Sequence, residues 1–207
     1  TGLSLLLRFG IYPSESARLK LVETLKERMS ESDGALTTGF VGTPELPHAL
    51  LESGLVSEAF SLLFKETSPS WLFEVNMGAT TTWERWDSIL PNGKISGIEM
   101  NSMNHYAYGA IEDFIIEKMV GINLPDVEDD TNTYQISPQY TEQLNWLTGR
   151  LDTVNGKIEV HWEIQNGIVN LKIDVPTRTR VHLILKNGES MALQTGSYQL
   201  NDVYLPE

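Results

Sequence analysis

The hydrophobic period changes once along the chain, and that change limits what the chain can fold into. Up to Gly121 apolar residues recur at helical spacing, and beyond it they alternate. Ile158, Val160, Trp162 and Ile164 are interleaved with Glu159, His161 and Glu163. Val169, Leu171, Ile173 and Val175 repeat the pattern, as do Val181, Leu183 and Leu185. Alternation of this kind puts one face of a strand in a core and the other in water. Asn155-Gly156, Asn166-Gly167 and Asn187-Gly188 separate the runs, and Asn-Gly suits the positive φ of tight hairpin turns. An antiparallel sheet folded as a sandwich is expected here. Before Gly121, Ser14 can N-cap a helix carrying Ala17, Leu21, Val22, Leu25 and Met29. Thr43-Pro44 opens another with Leu46, Ala49 and Leu50, stopped at Gly54. A third spans 56–65 with Ala59, Phe60, Leu63 and Phe64 inward. A last helix opens at Asn104, lines up Ala107, Ala110, Ile111, Phe114, Ile115 and Met119, and closes at Gly121. The opening "TGLSLLLRFGIYP" reads as the end of a helix, and "LPDVEDDTNT", residues 124–133, as a linker. The fold class is α + β in two segments, helical over 1–121 and a β-sandwich over 122–207.

Composition narrows the function. The 207 residues carry a formal net charge of −13, shared nearly equally between the two segments. Such a balance argues against nucleic acid or an anionic membrane as partner, since both need a basic patch. Without cysteine there is neither disulfide nor thiolate ligand. No apolar run approaches the ~20 residues of a membrane span, and the first residues lack the charged leader of a signal peptide. A cytoplasmic setting is favoured. The four histidines show no metal-ligand spacing, so no metal and no cofactor is expected. GxSxG, P-loop and GxGxxG patterns do not occur.

Chemistry concentrates in "GATTTWERWDS", residues 78–88, which shows neither helical nor strand period and reads as an ordered loop. Glu84 lies between Trp83 and Trp86. A carboxylate against indoles loses hydration, which raises its affinity for a proton and suits proton transfer near neutral pH. Indole faces can also take sugar C–H groups, and threonine hydroxyls can bond sugar hydroxyls. The plainer alternative makes Trp83 and Trp86 core and pairs Glu84 with Arg85 or another surface cation. His105, in "NSMNHYAYGAIED", is expected in the first turn of the last helix, where the dipole disfavours an imidazolium. It either serves a site as a neutral donor and acceptor or simply caps and packs. His48 reads as structural, and His161 and His182 as polar-face strand residues. For Phe40 core packing is favoured over lining a pocket.

Taken in order, "DGALTTGFVGTPELPHAL", "PSWLFEVNMGATTTWERWDS" and "MNSMNHYAYGAIEDF" closely resemble the C-terminal part of the catalytic domain of bacterial α-L-rhamnosidases, glycoside hydrolase family 78. "TGRLDTVNGKIEVHWEIQNGIVNLKIDVPTRTRVHLIL" resembles the sandwich that follows it. The resemblance covers nearly the whole chain. It implies a partial (α/α)6 barrel over 1–121 and an inverting mechanism. The carboxylate of the family's TT-x-WE motif, here Glu84, would be the general base, and the histidine of the later motif, here His105, would contact rhamnose. Inverting enzymes hold acid and base roughly 6.5–9.5 Å apart to admit the attacking water. The indoles and threonines would hold the carboxylate at the barrel mouth and shape the pocket wall.

The family's upstream general-acid motif has no counterpart in this sequence, and about five helices are fewer than a complete barrel needs. The implied partners are a rhamnose-containing glycoside and the missing N-terminal part of the same enzyme, with self-association through bared barrel surface as a further possibility. Two readings stand beside it: a non-catalytic carbohydrate-binding or structural module of the same fold, and a relative acting on a different sugar.

Overall fold

The computed structural model describes residues 1–97, 100–125 and 131–203. The chain divides into two compact units, Thr1–Ile111 and Glu112–Glu207. Residues 126–130 of the expected linker lie outside the described residues.

The first unit is helical. α1 (Gly2–Arg8), α2 (Glu15–Glu31), α3 (Glu45–Glu52) and α4 (Val56–Phe64) are followed by α5 (Trp71–Asn76). Ser14 caps α2 as expected, its hydroxyl accepting the Ala17 amide. α1 packs on α2 and α3, and α3 on α4. Arg8 of α1 reaches Glu45 and Glu52 at the two ends of α3, at 3.3 and 2.6 Å. The core gathers Leu25 and Met29 of α2, Leu46, Ala49 and Leu50 of α3, and Ala59, Phe60 and Leu62 of α4.

Three expectations shift. α2 buries only the end of its apolar stripe, and Ala17, Leu21 and Val22 are half-covered while Leu19 is exposed. In α4 it is Leu62 that is wholly buried, with Leu63 and Phe64 at the margin. α5 was not foreseen, because six residues hold too few turns to show a period. Ser70 nevertheless caps it, accepting the Phe73 amide at 3.1 Å.

The last helical run also opens later than its period suggested. A 3-10 turn, Ala107–Ala110, leads into α6 (Ile111–Phe114), and a π-helical stretch, Ile115–Val120, completes it. Gly121 closes the run at φ +88. A Cβ there would stand 2.4 Å from the Pro138 nitrogen. Left-handed backbone and crowding together require glycine.

Among the described residues the second unit holds two four-stranded sheets. The strands are β1 (Ile122–Asn123), β2 (Thr133–Ile136), β3 (Trp146–Thr153), β4 (Gly156–Gln165), β5 (Ile168–Val175), β6 (Arg180–Ile184), β7 (Ser190–Leu193) and β8 (Gly196–Val203). One sheet runs β1-β2-β6-β7 and the other β3-β4-β5-β8. Every pair is antiparallel except β2 with β6, which run parallel. Parallel neighbours need a crossover, here the meander of β3, β4 and β5 in the other sheet.

The three Asn-Gly pairs of this unit lie at hairpins, although between β3 and β4 the two turn residues are Val154 and Asn155, with Gly156 opening β4. At Asn166-Gly167 both residues have positive φ, 54 and 76, between partners Gln165 and Ile168. The alternating residues named above meet in one core around Trp162. The Trp162 indole donates to the Met119 carbonyl at 2.8 Å, pinning the end of the π-helical stretch. Asp202 is buried, accepting from the Tyr140 hydroxyl at 2.9 Å and from the Lys186 amide at 3.0 Å. Burial foremost, and the Asp202 charge after it, push the Tyr140 phenol far above its usual range.

Candidate active site

The Glu84 loop is held from below and from the side. From below, α5 presents Trp71, Phe73 and Glu74 to the core. The Glu74 backbone carbonyl accepts the amides of Met77 and Ala79 at 3.1 and 3.0 Å. Its side-chain Oε2 accepts the amide of Trp83 at 3.2 Å. One residue thereby ties both ends of the turn through Gly78, which adopts φ +86. Glu74 is 2% exposed, and its Oε1 meets no donor among the described residues. Loss of hydration pushes the carboxyl up to about 7, against a smaller lowering by the Trp83 amide.

From the side, residues 81–84 pair with residues 102–105. Glu84 donates its amide to the Ser102 carbonyl at 2.9 Å, and Ser102 returns its amide to Glu84 Oε2 at 2.8 Å. His105 donates its amide to the Thr82 carbonyl at 2.9 Å, and the Thr82 hydroxyl donates to the His105 carbonyl at 2.7 Å. The Thr81 hydroxyl donates to the Met103 carbonyl. The threonine run thus has a mechanical task. The Thr81 and Thr82 hydroxyl protons are committed to the neighbouring loop, which leaves those oxygens free only to accept from a ligand. These crossed pairs place the two motif loops side by side, although 21 positions part Glu84 from His105.

Trp83 is core, 2% exposed. Trp86 is half-buried, stacked on Tyr108 at 4.0 Å and edge-on to Trp71 at 5.2 Å. Arg85 pairs with Asp87 at 3.0 Å rather than with Glu84. With Glu84 Oε2 engaged by Ser102, no donor among the described residues reaches Oε1. Anchoring one oxygen orients the carboxylate and leaves the other available.

His105 lies just ahead of the 3-10 turn rather than in a helical first turn. Its Nδ1 accepts the Ala107 amide at 3.3 Å. In the neutral ring that bond selects the tautomer with its proton on Nε2, a donor facing away from the backbone. The ring is stacked between Phe40 at 4.8 Å and Tyr106 at 5.3 Å, nearly parallel to both. Phe40 is 43% exposed, which corrects its expected place in the core. It continues the array by tilting onto Tyr108 at 5.2 Å. His48 is buried in α3, and His161 and His182 stand on the outer faces of β4 and β6, as expected.

Sequence reasoning missed Glu74 and Ser102. Glu74 stands three residues after Trp71, on the face that a helix would bury, and an acid in that place was a readable signal. Ser102 had none, because its part is played by backbone amide and carbonyl.

Residues 1–119 match the bacterial alpha-L-rhamnosidase 6 hairpin glycosidase domain, and residues 131–198 match the bacterial alpha-L-rhamnosidase C-terminal domain. An alpha-L-rhamnosidase of Formosa agariphila is 36% identical over 181 residues, which cover 87% of this chain and 19% of that protein. One from Alteromonas sp. is 38% identical over 181 residues, 85% of this chain and 19% of its own. The chain spans about a fifth of the length of these relatives. Among solved structures, native alfa-L-rhamnosidase from Aspergillus terreus superposes with a TM-score of 0.90 at 32% identity, over 97% of this chain and 23% of that one. Streptomyces avermitilis alpha-L-rhamnosidase complexed with L-rhamnose superposes with a TM-score of 0.88 at 27% identity, over 96% and 21%.

Proposed function

The chain belongs to the bacterial alpha-L-rhamnosidase family, and from that premise we propose that it is the part of an inverting α-L-rhamnosidase that carries the general base, Glu84, and a sugar-binding histidine, His105. The crossed hydrogen bonds between residues 81–84 and 102–105 carry this reading. They hold a carboxylate with one unengaged oxygen and an imidazole with an outward donor on adjoining loops.

In hydrolysis, a water oxygen attacks the anomeric carbon as the glycosidic C–O bond breaks. Glu84 Oε1 takes the water's proton, while Oε2 stays on the Ser102 amide and keeps the acceptor aimed. The leaving oxygen takes its proton from a general acid outside this sequence. His105 Nε2–H donates to a rhamnose hydroxyl, and its two ring neighbours keep the imidazole from turning. The wall formed by Phe40, His105 and Tyr106 excludes water from one side of the sugar, where unpaired polar groups would weaken binding.

Kinetics of the complete enzyme on an aryl α-L-rhamnoside test the pair. Glu84→Gln keeps the shape but cannot take a proton, and kcat should fall by about 10²–10⁴. His105→Ala should chiefly weaken binding of L-rhamnose, by about 1–3 kcal/mol. Near-normal turnover by the Gln variant would remove Glu84 from the base role. Unchanged rhamnose affinity in the Ala variant would remove His105 from the pocket.

A further inference from the structure

A buried acid that touches neither sugar nor water in this scheme holds the amide of Trp83, the residue before the base. Glu74 is 2% exposed, yet a carboxylate is costly to bury without several partners. Its side chain has one hydrogen bond, to the Trp83 amide at 3.2 Å. Its second oxygen has none among the described residues. Packing alone would be served as well by leucine, since the surroundings include Trp71, Phe73 and Trp83 in the same core. What leucine could not do is hold the Trp83 peptide.

We propose that Glu74 is a positioning residue for the general base: its carboxyl sets the Trp83 peptide, and with it the point from which Glu84 reaches into the site. This rests on the assignment of Glu84 made above. Three anchors define where Glu84 starts. Its own amide is held by the Ser102 carbonyl and its Oε2 by the Ser102 amide. Both bind it to the partner loop, and neither ties it to the helical body. Glu74 supplies that tie, because its backbone carbonyl holds Ala79 and its side chain holds Trp83. The turn between them carries Gly78 at φ +86 and an exposed Thr80 and Thr81, with Ala79 and Thr82 only half-buried before Trp83. Releasing the Trp83 amide leaves that end held by the buried Trp83 ring and the pairing with residues 102–105, with no hydrogen bond to α5. A base displaced by an ångström still meets the sugar but no longer meets the attacking water, so the loss falls on turnover rather than binding.

Four forms of the complete enzyme decide this: wild type, Glu74→Leu, Glu74→Asp and Glu74→Gln. Each is assayed for kcat and KM on an aryl α-L-rhamnoside and for melting temperature. Leu removes the acceptor, and Asp draws it back by one methylene. Both should lose kcat by about 10- to 100-fold with KM little changed. Gln keeps an acceptor in place and should stay close to wild type. Should Glu74→Leu not fold, the Asp variant alone carries the test. A role confined to stability would lower melting temperature and leave kcat of the folded fraction intact, which overturns the proposal. Wild-type kcat in Leu and Asp, or a Gln variant as impaired as Leu, overturns it too. Glu84→Gln run in parallel separates the two claims. If that variant still turns over, the base assignment itself falls. If it is inactive while the Glu74 series is normal, only the positioning role falls.

Discussion

Glu74 holds a proton that an ordinary glutamate would have released. Burial pushes its carboxyl from 4.5 up to about 7 in the folded chain. Between about pH 4.5 and pH 7 the folded state therefore binds more protons than the unfolded state. Stability must fall as pH rises through that window and be level above it, as far as this group is concerned. The full span is worth about 3 kcal/mol at most. Tyr108 is the other titratable group its charge acts on, and burial first and Glu74 second push that phenol upward, away from the window. Glu74→Gln should flatten the decline in melting temperature between pH 5 and pH 7.5 measured for the complete protein. A Gln variant with the wild-type slope would show that another group carries it. At this scale the motifs singled out Glu84 and His105, and the structure sets their loops side by side. The engagement of Thr81 and Thr82 and the exposure of Phe40 were not legible, because both depend on which loop lies alongside.

At the scale of elements, the sequence showed helices α2, α3 and α4 and strands β4, β5 and β6, and passed over α5, β1, β2, β3, β7 and β8. Period two needs only a few residues to declare itself, and Asn-Gly turns mark its limits. The six residues of α5 and the mixed 3-10, α and π course of the last helix leave no such mark. The parallel pairing of β2 with β6 was also hidden, since pairing direction depends on the crossover rather than on either strand. Gly121 is where the two periods meet, and it bears the sharpest prediction for an element. Alanine there meets the Pro138 and Ser137 backbone and a left-handed φ at once. Gly121→Ala should destabilise by about 2–4 kcal/mol, read as a lowered unfolding midpoint in denaturant. Gly188→Ala, also at positive φ but with open space around its Cβ position, should lose only the conformational part, about 1–2 kcal/mol. Equal losses at the two sites would mean that crowding at Gly121 contributes nothing.

For the whole molecule, the match to about a fifth of its relatives' length bears on activity. Among the described residues the helical unit leaves Phe9, Ile11, Leu19, Phe40, Val41 and Val75 exposed. None of the described helices is long and apolar enough to cross a membrane. The 207-residue chain by itself should show no hydrolysis of an aryl α-L-rhamnoside above a Glu84→Gln control. On the proposed reading the general acid lies outside this sequence, and loss of a positioned acid alone costs about 10²–10⁴ in rate. Turnover by the purified chain would show that a second proton donor lies within it.

The sequence by itself determined the change of period at Gly121, the helices opened at Ser14 and Thr43-Pro44 and stopped at Gly54, the alternating runs of β4, β5 and β6, and the turn at Asn166-Gly167. Each of these is local: a spacing, a turn dipeptide or a short pattern contains its own cause. Only the tertiary structure decided that residues 81–84 lie against 102–105, that Trp83 is core while Trp86 stacks on Tyr108, and that Glu74 is the buried acid holding the Trp83 amide. Those outcomes depend on which backbone amides and carbonyls find each other across long stretches of chain. Such partners are the same atoms in every residue, so side-chain identity cannot announce them.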